Sequence, residues 1–166
     1  ASGLPFEIGL LKNRYIGRTF SGPSRELREL GVRIKLNPIE AVIKDQRIVI
    51  IDDSIVRGTT SAKIVRLLKE TGAKEVHMYA ACPPYRYPCC YGIDTSKEDL
   101  VAAKYDLEEI RRLIGADTLR FLSVEGLVGA IGLPKERLCL ACFNGDYPLV
   151  GACCDCEKGE GAENGQ

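Results

Sequence analysis

Residues 48–61, Ile-Val-Ile-Ile-Asp-Asp-Ser-Ile-Val-Arg-Gly-Thr-Thr-Ser, constrain this chain more than any other stretch. The unbroken apolar run Ile48 to Ile51 is the pattern of a central parallel strand buried on both faces. It ends on two adjacent carboxylates, Asp52 and Asp53. A loop rich in glycine and hydroxyls follows, and then a helical pattern begins. That order puts acids and free backbone N–H groups at the carboxyl end of a strand, where open α/β sheets bind their ligands.

A helix N-terminus carries roughly half a positive charge and several unpaired N–H donors, and so accepts a phosphate. Gly58 lets the backbone approach closely, and Thr59, Thr60 and Ser61 offer caps or hydroxyl donors. Two carboxylates beside a phosphate would repel it unless something intervenes. Vicinal ribose hydroxyls or a Mg2+ ion reconcile them. The stretch therefore calls for a sugar phosphate with a metal.

This pattern resembles the phosphoribosyl-pyrophosphate (PRPP) motif of type I phosphoribosyltransferases: a hydrophobic run, two acids, and a Gly-Thr-Thr loop. Three further stretches are similar to the glutamine PRPP amidotransferase family, in that family's order. They are Leu11-Lys12-Asn13-Arg14-Tyr15-Ile16-Gly17-Arg18-Thr19-Phe20, which resembles a mobile active-site loop, then Pro88-Cys89-Cys90-Tyr91-Gly92-Ile93-Asp94-Thr95, and Cys139-Leu140-Ala141-Cys142-Phe143. The resemblance implies a type I phosphoribosyltransferase fold, a parallel α/β sheet flanked by helices. Residues 1–149 would be a partial phosphoribosyltransferase domain and 150–166 a cysteine-containing polar tail. The implied reaction makes 5-phosphoribosylamine from PRPP and glutamine-derived ammonia, the first step of de novo purine (IMP) synthesis.

By the same resemblance, Asp52 and Asp53 contact the ribose hydroxyls and the Mg2+ of PRPP. Ser54 and Arg57 to Ser61 (Arg57, Gly58, Thr59, Thr60, Ser61) hold the substrate, the 5′-phosphate chiefly on backbone N–H groups. Arg57 reads equally well as a solvated surface residue. Lys12, Arg14 and Arg18 would neutralise the departing pyrophosphate; read from the residues alone, the same segment is also an ordinary solvated basic loop. Residues 10–35 carry seven basic side chains against Glu26 and Glu29.

The eight cysteines decide a second question. With no secretion signal and 166 residues, a reducing cytoplasmic setting is expected rather than a disulfide framework. Resemblance makes Cys89, Cys139 and Cys142 three of the four thiolates that hold a 4Fe–4S cluster, the fourth lying upstream. The residues themselves allow a zinc site in which Cys139 and Cys142 join Cys153 or Cys154 and Cys156. They also allow plain packing, to which Cys82 and Cys90 are assigned.

The length suits one domain with a sizeable core, and the zero net charge leaves no footprint of nucleic-acid or membrane binding. No apolar run approaches the ~20 residues of a membrane span. The opening Ala1-Ser2-Gly3-Leu4-Pro5, without Met, reads as the start of a fragment. The family's glutaminase domain and the first strand and helix of its transferase domain have no counterpart. The parent enzyme is expected to be a homo-oligomer.

Local signals place the elements. Strands are expected at 5–10, 32–38, 76–81 and 119–122. Helices are expected at 25–30, 61–71, 97–103, 106–114 and 123–131, bounded by Ser24, Ser96, Ser123, Gly31, Gly72 and Gly115. His77 sits in a strand and is read as structural. A second functional class stays open beside the enzyme: a PRPP-binding regulatory module without catalysis, since the fold alone does not decide function.

Overall fold

The structure of the chain is a computed structural model. It describes residues 3–12, 36–93 and 95–149. The short strands β1 (Leu10–Lys12) and β2 (Leu36–Pro38) pair antiparallel, with Lys12 opposite Leu36. The one-turn helix α1 (Glu40–Ile43) leads through a turn to β3 (Arg47–Asp52). Then come α2 (Thr59–Glu70), β4 (Glu75–Ala80), α3 (Val101–Lys104), α4 (Leu107–Ile114), β5 (Thr118–Phe121), α5 (Val124–Ile131) and α6 (Ala141–Asn144).

Strands β3, β4 and β5 form a parallel sheet in that order, with Arg47 opposite Glu75 and His77 opposite Thr118. Each crossover carries a helix, as parallel neighbours require. Val76, Met78 and Ala80 of β4 and Leu119 of β5 point into a core closed by Val65 and Leu68 of α2 and Ile110 and Ile114 of α4. Ile43 and Ile55 complete it.

Among the described residues the other sheet face is open, which corrects one expectation. Ile48 to Ile51 was read as buried on both faces of a central strand. Among the described residues β3 is an edge strand, and it alternates between half-buried Ile48 and Ile50 and outward Val49 and Ile51. Ile51 is 73% exposed, and Tyr79 of β4 lies on the same outward face. Helices α2 and α4 cover one side only, so period-two burial replaces the continuous burial that the apolar run suggested.

Local signals fared better. Asp106 caps α4 with a full capping box: its side chain accepts from the Glu109 N–H, and Glu109 returns a bond to the Asp106 N–H. Gly115, in the left-handed conformation, ends that helix. Ser123 caps α5. The helix expected over 97–103 divides instead into a 3-10 turn, Lys97–Asp99, and α3, because Leu100 between them is extended. The strand expected at 5–10 begins only at Leu10; Leu4, Phe6 and Ile8 are exposed. The helix expected at 25–30 lies outside the described residues.

Candidate functional site

Asp52 closes β3, and α2 opens seven residues later. Gly58 is the residue before α2, at φ 73°, a left-handed conformation that side chains resist. A Cβ there would also meet Leu113 Cδ2 at 3.3 Å and Ile114 Cγ2 at 3.5 Å. Glycine thus does two things: it turns the chain into the helix and lets α2 seat against α4. The helix begins at Thr59, two residues before the expected start, so Thr59, Thr60 and Ser61 form its first turn.

No side chain caps that turn, and its first backbone bond runs from the Ala62 N–H to the Gly58 carbonyl. The preceding N–H groups are the donors that a helix leaves for an outside anion. Thr59 and Thr60 are exposed and Ser61 is buried beneath them.

The acids lie at the opposite side of the loop. Asp52 is half-buried and accepts the Asp53 N–H on Oδ1 at 3.1 Å; Asp53 in turn accepts the Ser54 hydroxyl at 3.1 Å. Burial raises the Asp52 pKa above the usual carboxylate range, and the Asp53 carboxylate pushes the same way, against the pull of that N–H. Two crowded hard-oxygen acids suit Mg2+, which is held by one or two carboxylates together with substrate phosphates. That donor set fits the ion.

Arg57 is not a free cation. Its Nη2 donates to Asp99 Oδ2 at 2.6 Å, and the guanidinium holds the Asp99 carboxyl below its ordinary range. The Val101 N–H donates to the Val56 carbonyl at 2.8 Å, so the loop is tied to the 97–101 segment twice. Sequence reasoning missed Asp99. No local signal marks a partner 42 residues away. Cys82, assigned to packing, follows β4 beside the acids: burial raises its thiol pKa, and Asp53 and Asp52 raise it further.

Lys12 ends β1 and is exposed. Arg14 and Arg18 lie outside the described residues, as do Cys153, Cys154 and Cys156. His77 is structural, as expected: its Nδ1 lies 3.0 Å from the Thr118 hydroxyl and its Nε2 3.1 Å from Glu75.

The cysteines gather in a second locality, where residues 82–93 meet α6. The Arg86 and Tyr87 N–H groups both donate to the Cys142 carbonyl, and the Tyr147 hydroxyl donates to the Pro88 carbonyl. Tyr85 meets Phe143 edge-on. Burial pushes the Cys142 thiol up to about 11, and the Cys139, Cys89 and Cys82 thiols add to it. Cys90 corrects an expectation: it is disulfide-bonded rather than a packed free thiol.

Among the described residues no three acid, thiol or imidazole groups converge on one point that could hold an ion. A single zinc needs all its thiolates about 2.3 Å from that one point. A 4Fe–4S cluster instead gives each thiolate its own iron and so suits a wider set.

Residues 10–101 match the family model of the phosphoribosyl transferase domain. The chain belongs to that family. This phosphoribosyl transferase domain is 56% identical over 153 residues to the amidophosphoribosyltransferase of Bacillus subtilis, across 89% of this chain and 32% of the relative. It is 51% identical over 149 residues to that of Methanothermobacter thermautotrophicus, across 89% of this chain and 31% of the relative. The domain also resembles the solved glutamine PRPP amidotransferase from B. subtilis complexed with ADP and GMP. The TM-score there is 0.78 and the identity 55%, over 88% of this chain and 33% of that one. The domain thus spans about a third of the length of these relatives, and they share its type I phosphoribosyltransferase fold. Among the described residues no helix is long and apolar enough to cross a membrane.

Proposed function

We propose that this domain performs the phosphoribosyl transfer of an amidophosphoribosyltransferase, making 5-phosphoribosylamine from PRPP and glutamine-derived ammonia at the start of purine synthesis. The observation that carries the reading is the uncapped N-terminus of α2, set across one short loop from Asp52 and Asp53. The names of its relatives support the choice of ammonia as acceptor. The glutaminase half, a homo-oligomeric assembly and a cytoplasmic setting belong to the same proposal.

In this mechanism the amine lone pair attacks C1 of the ribose while the C1–O bond to pyrophosphate breaks. The bonding pair leaves with the pyrophosphate, and the new ammonium gives up a proton. The Thr59 to Ser61 N–H groups hold the 5′-phosphate at the positive end of α2, with Ser54, Arg57 and Gly58 shaping the loop. Asp52 and Asp53 accept from the ribose hydroxyls and would hold Mg2+, which when bound neutralises charge on the pyrophosphate. Lys12, with Arg14 and Arg18, stabilises the negative charge that grows on the leaving group. No enzyme nucleophile is required.

Cys89, Cys139 and Cys142 are proposed as three thiolates of a 4Fe–4S cluster, the usual complement of which is four. Iron and sulfide analysis with the visible spectrum of anaerobically prepared protein separates this from zinc at Cys139, Cys142 and the 153–156 cysteines.

The test of the phosphoribosyl site is isothermal titration of PRPP with and without Mg2+, against the chain and its Asp52→Asn/Asp53→Asn variant. Magnesium-dependent binding confined to the unaltered chain is expected. Equal, metal-independent binding by both proteins would overturn the assignment.

A further inference from the structure

Residues 53–58 join β3 to α2 without regular structure, and in their middle Ile55 is 1% exposed. Connecting segments ordinarily run over the surface, and this one does so at Asp53 and Arg57, which are both exposed. Ile55 alone sends a large side chain inward. It belongs to the same buried cluster as Val65 of α2, Val101 of α3 and Ile114 of α4.

The backbone is fixed on both sides of it. The Asp52 carbonyl accepts the Ala81 N–H at 2.8 Å, which holds the acid end of the loop to the sheet. The Val56 carbonyl accepts the Val101 N–H at 2.8 Å, and Gly58 closes against Leu113 and Ile114. The acid end thus stands on β3 and the phosphate end on α4. Ile55 is the side chain between them that reaches the core.

A ligand that touches both ends gains from a separation fixed beforehand, because it need not order the loop as it binds. An anion that touches the helix end only gains nothing from that separation. We infer that Ile55 is a positioning residue, whose burial fixes the span between the Asp52–Asp53 pair and the N-terminus of α2. The site thereby favours a ligand that reaches both. This rests on the phosphoribosyl reading above. Ile55 needs no contact with PRPP to act in this way.

The test compares Ile55→Ala with Met78→Ala, a truncation in the same core but away from the loop. PRPP with Mg2+ is titrated by calorimetry into both variants and the unaltered chain. Inorganic phosphate without Mg2+ is followed on the Thr59 to Ser61 amide resonances. Ile55→Ala should lose about tenfold or more in PRPP affinity, within the scale that misplaced groups show. Its phosphate affinity should be unchanged, and Met78→Ala should bind both ligands as the unaltered chain does. Unchanged PRPP affinity in Ile55→Ala, or an equal loss in both variants, would overturn the role of Ile55 and leave the phosphoribosyl reading standing. A parallel loss of phosphate would mean that α2 itself has moved, and overturns it too.

If the unaltered chain does not bind PRPP, the phosphoribosyl reading falls alone. Amide hydrogen exchange in Ile55→Val, which trims one carbon and spares the fold, then decides. The Val101 and Ala62 N–H groups bond the Val56 and Gly58 carbonyls. They should exchange several-fold faster in the variant while the β4 amides keep their rates. Equal rates at Val101 and Ala62 overturn the proposal.

Discussion

Arg57 and Asp99 are joined by a 2.6 Å hydrogen bond from Nη2 to Oδ2, although 42 residues separate them in the chain. The pair ties the loop that leads into α2 to the turn before α3. With its charge already matched by Asp99, Arg57 serves the site by holding the loop rather than by meeting a phosphate alone. Arg57→Ala and Asp99→Asn should therefore weaken ribose 5-phosphate binding by a similar few-fold. The double variant should lose no more than the worse single one, the mark of two residues sharing one interaction. Titration of the three variants checks this; additive losses would give Arg57 a phosphate contact of its own.

Gly58 joins the site to the core. A side chain there must adopt φ 73° and press on Leu113 and Ile114 at once. Gly58→Ala should cost about 1–2 kcal/mol from the left-handed conformation. It should also weaken phosphate binding, because the start of α2 shifts with the residue before it. Urea unfolding and phosphate titration read the two effects. An unchanged midpoint would mean that the turn relaxes freely.

The parts of this arrangement legible in the sequence were those set by neighbours in the chain. Asp106 and Glu109 announce the start of α4 and Gly115 its end, because caps depend on residues three or four apart. The order of acids, glycine and hydroxyls after β3 was legible for the same reason. What stayed hidden depends on the third dimension. Nothing in Ile48 to Ile51 says that helices cover one sheet face only, nothing near Arg57 names Asp99, and nothing near Cys90 reveals its disulfide.

The open sheet face sets up a contrast between two strand residues. Ile51 is 73% exposed on β3, whereas Met78 of β4, which pairs with the adjacent Ile50, is fully buried. Ile51→Thr keeps a β-branched side chain and should change stability by no more than about 0.5 kcal/mol. Met78→Ala leaves a hole behind α2 and α4 and should cost about 2–5 kcal/mol. Urea midpoints of the two variants give the comparison. A large loss from Ile51→Thr would mean that the outward face is covered in solution.

Asp52 sets stability against function. Burial is the main reason its pKa is raised, with Asp53 adding and the Asp53 N–H opposing. The folded chain therefore holds this proton more tightly than the unfolded chain does. The sign follows: for this group, stability rises as pH falls through the folded pKa, and the cost of the charge is present in full above it. Metal binding runs the other way, since only the ionised carboxyl grips Mg2+. Asp52→Asn should thus raise the urea midpoint at pH 7, and its advantage should shrink on acidification. The same variant should lose at least tenfold in Mg2+-dependent PRPP affinity, about 1.4 kcal/mol. In the unaltered chain, that affinity should begin to fall at a higher pH than an ordinary aspartate would give. A variant that is less stable at pH 7, with a deficit that shrinks in acid, would show that the Asp52 carboxylate serves the fold rather than the metal.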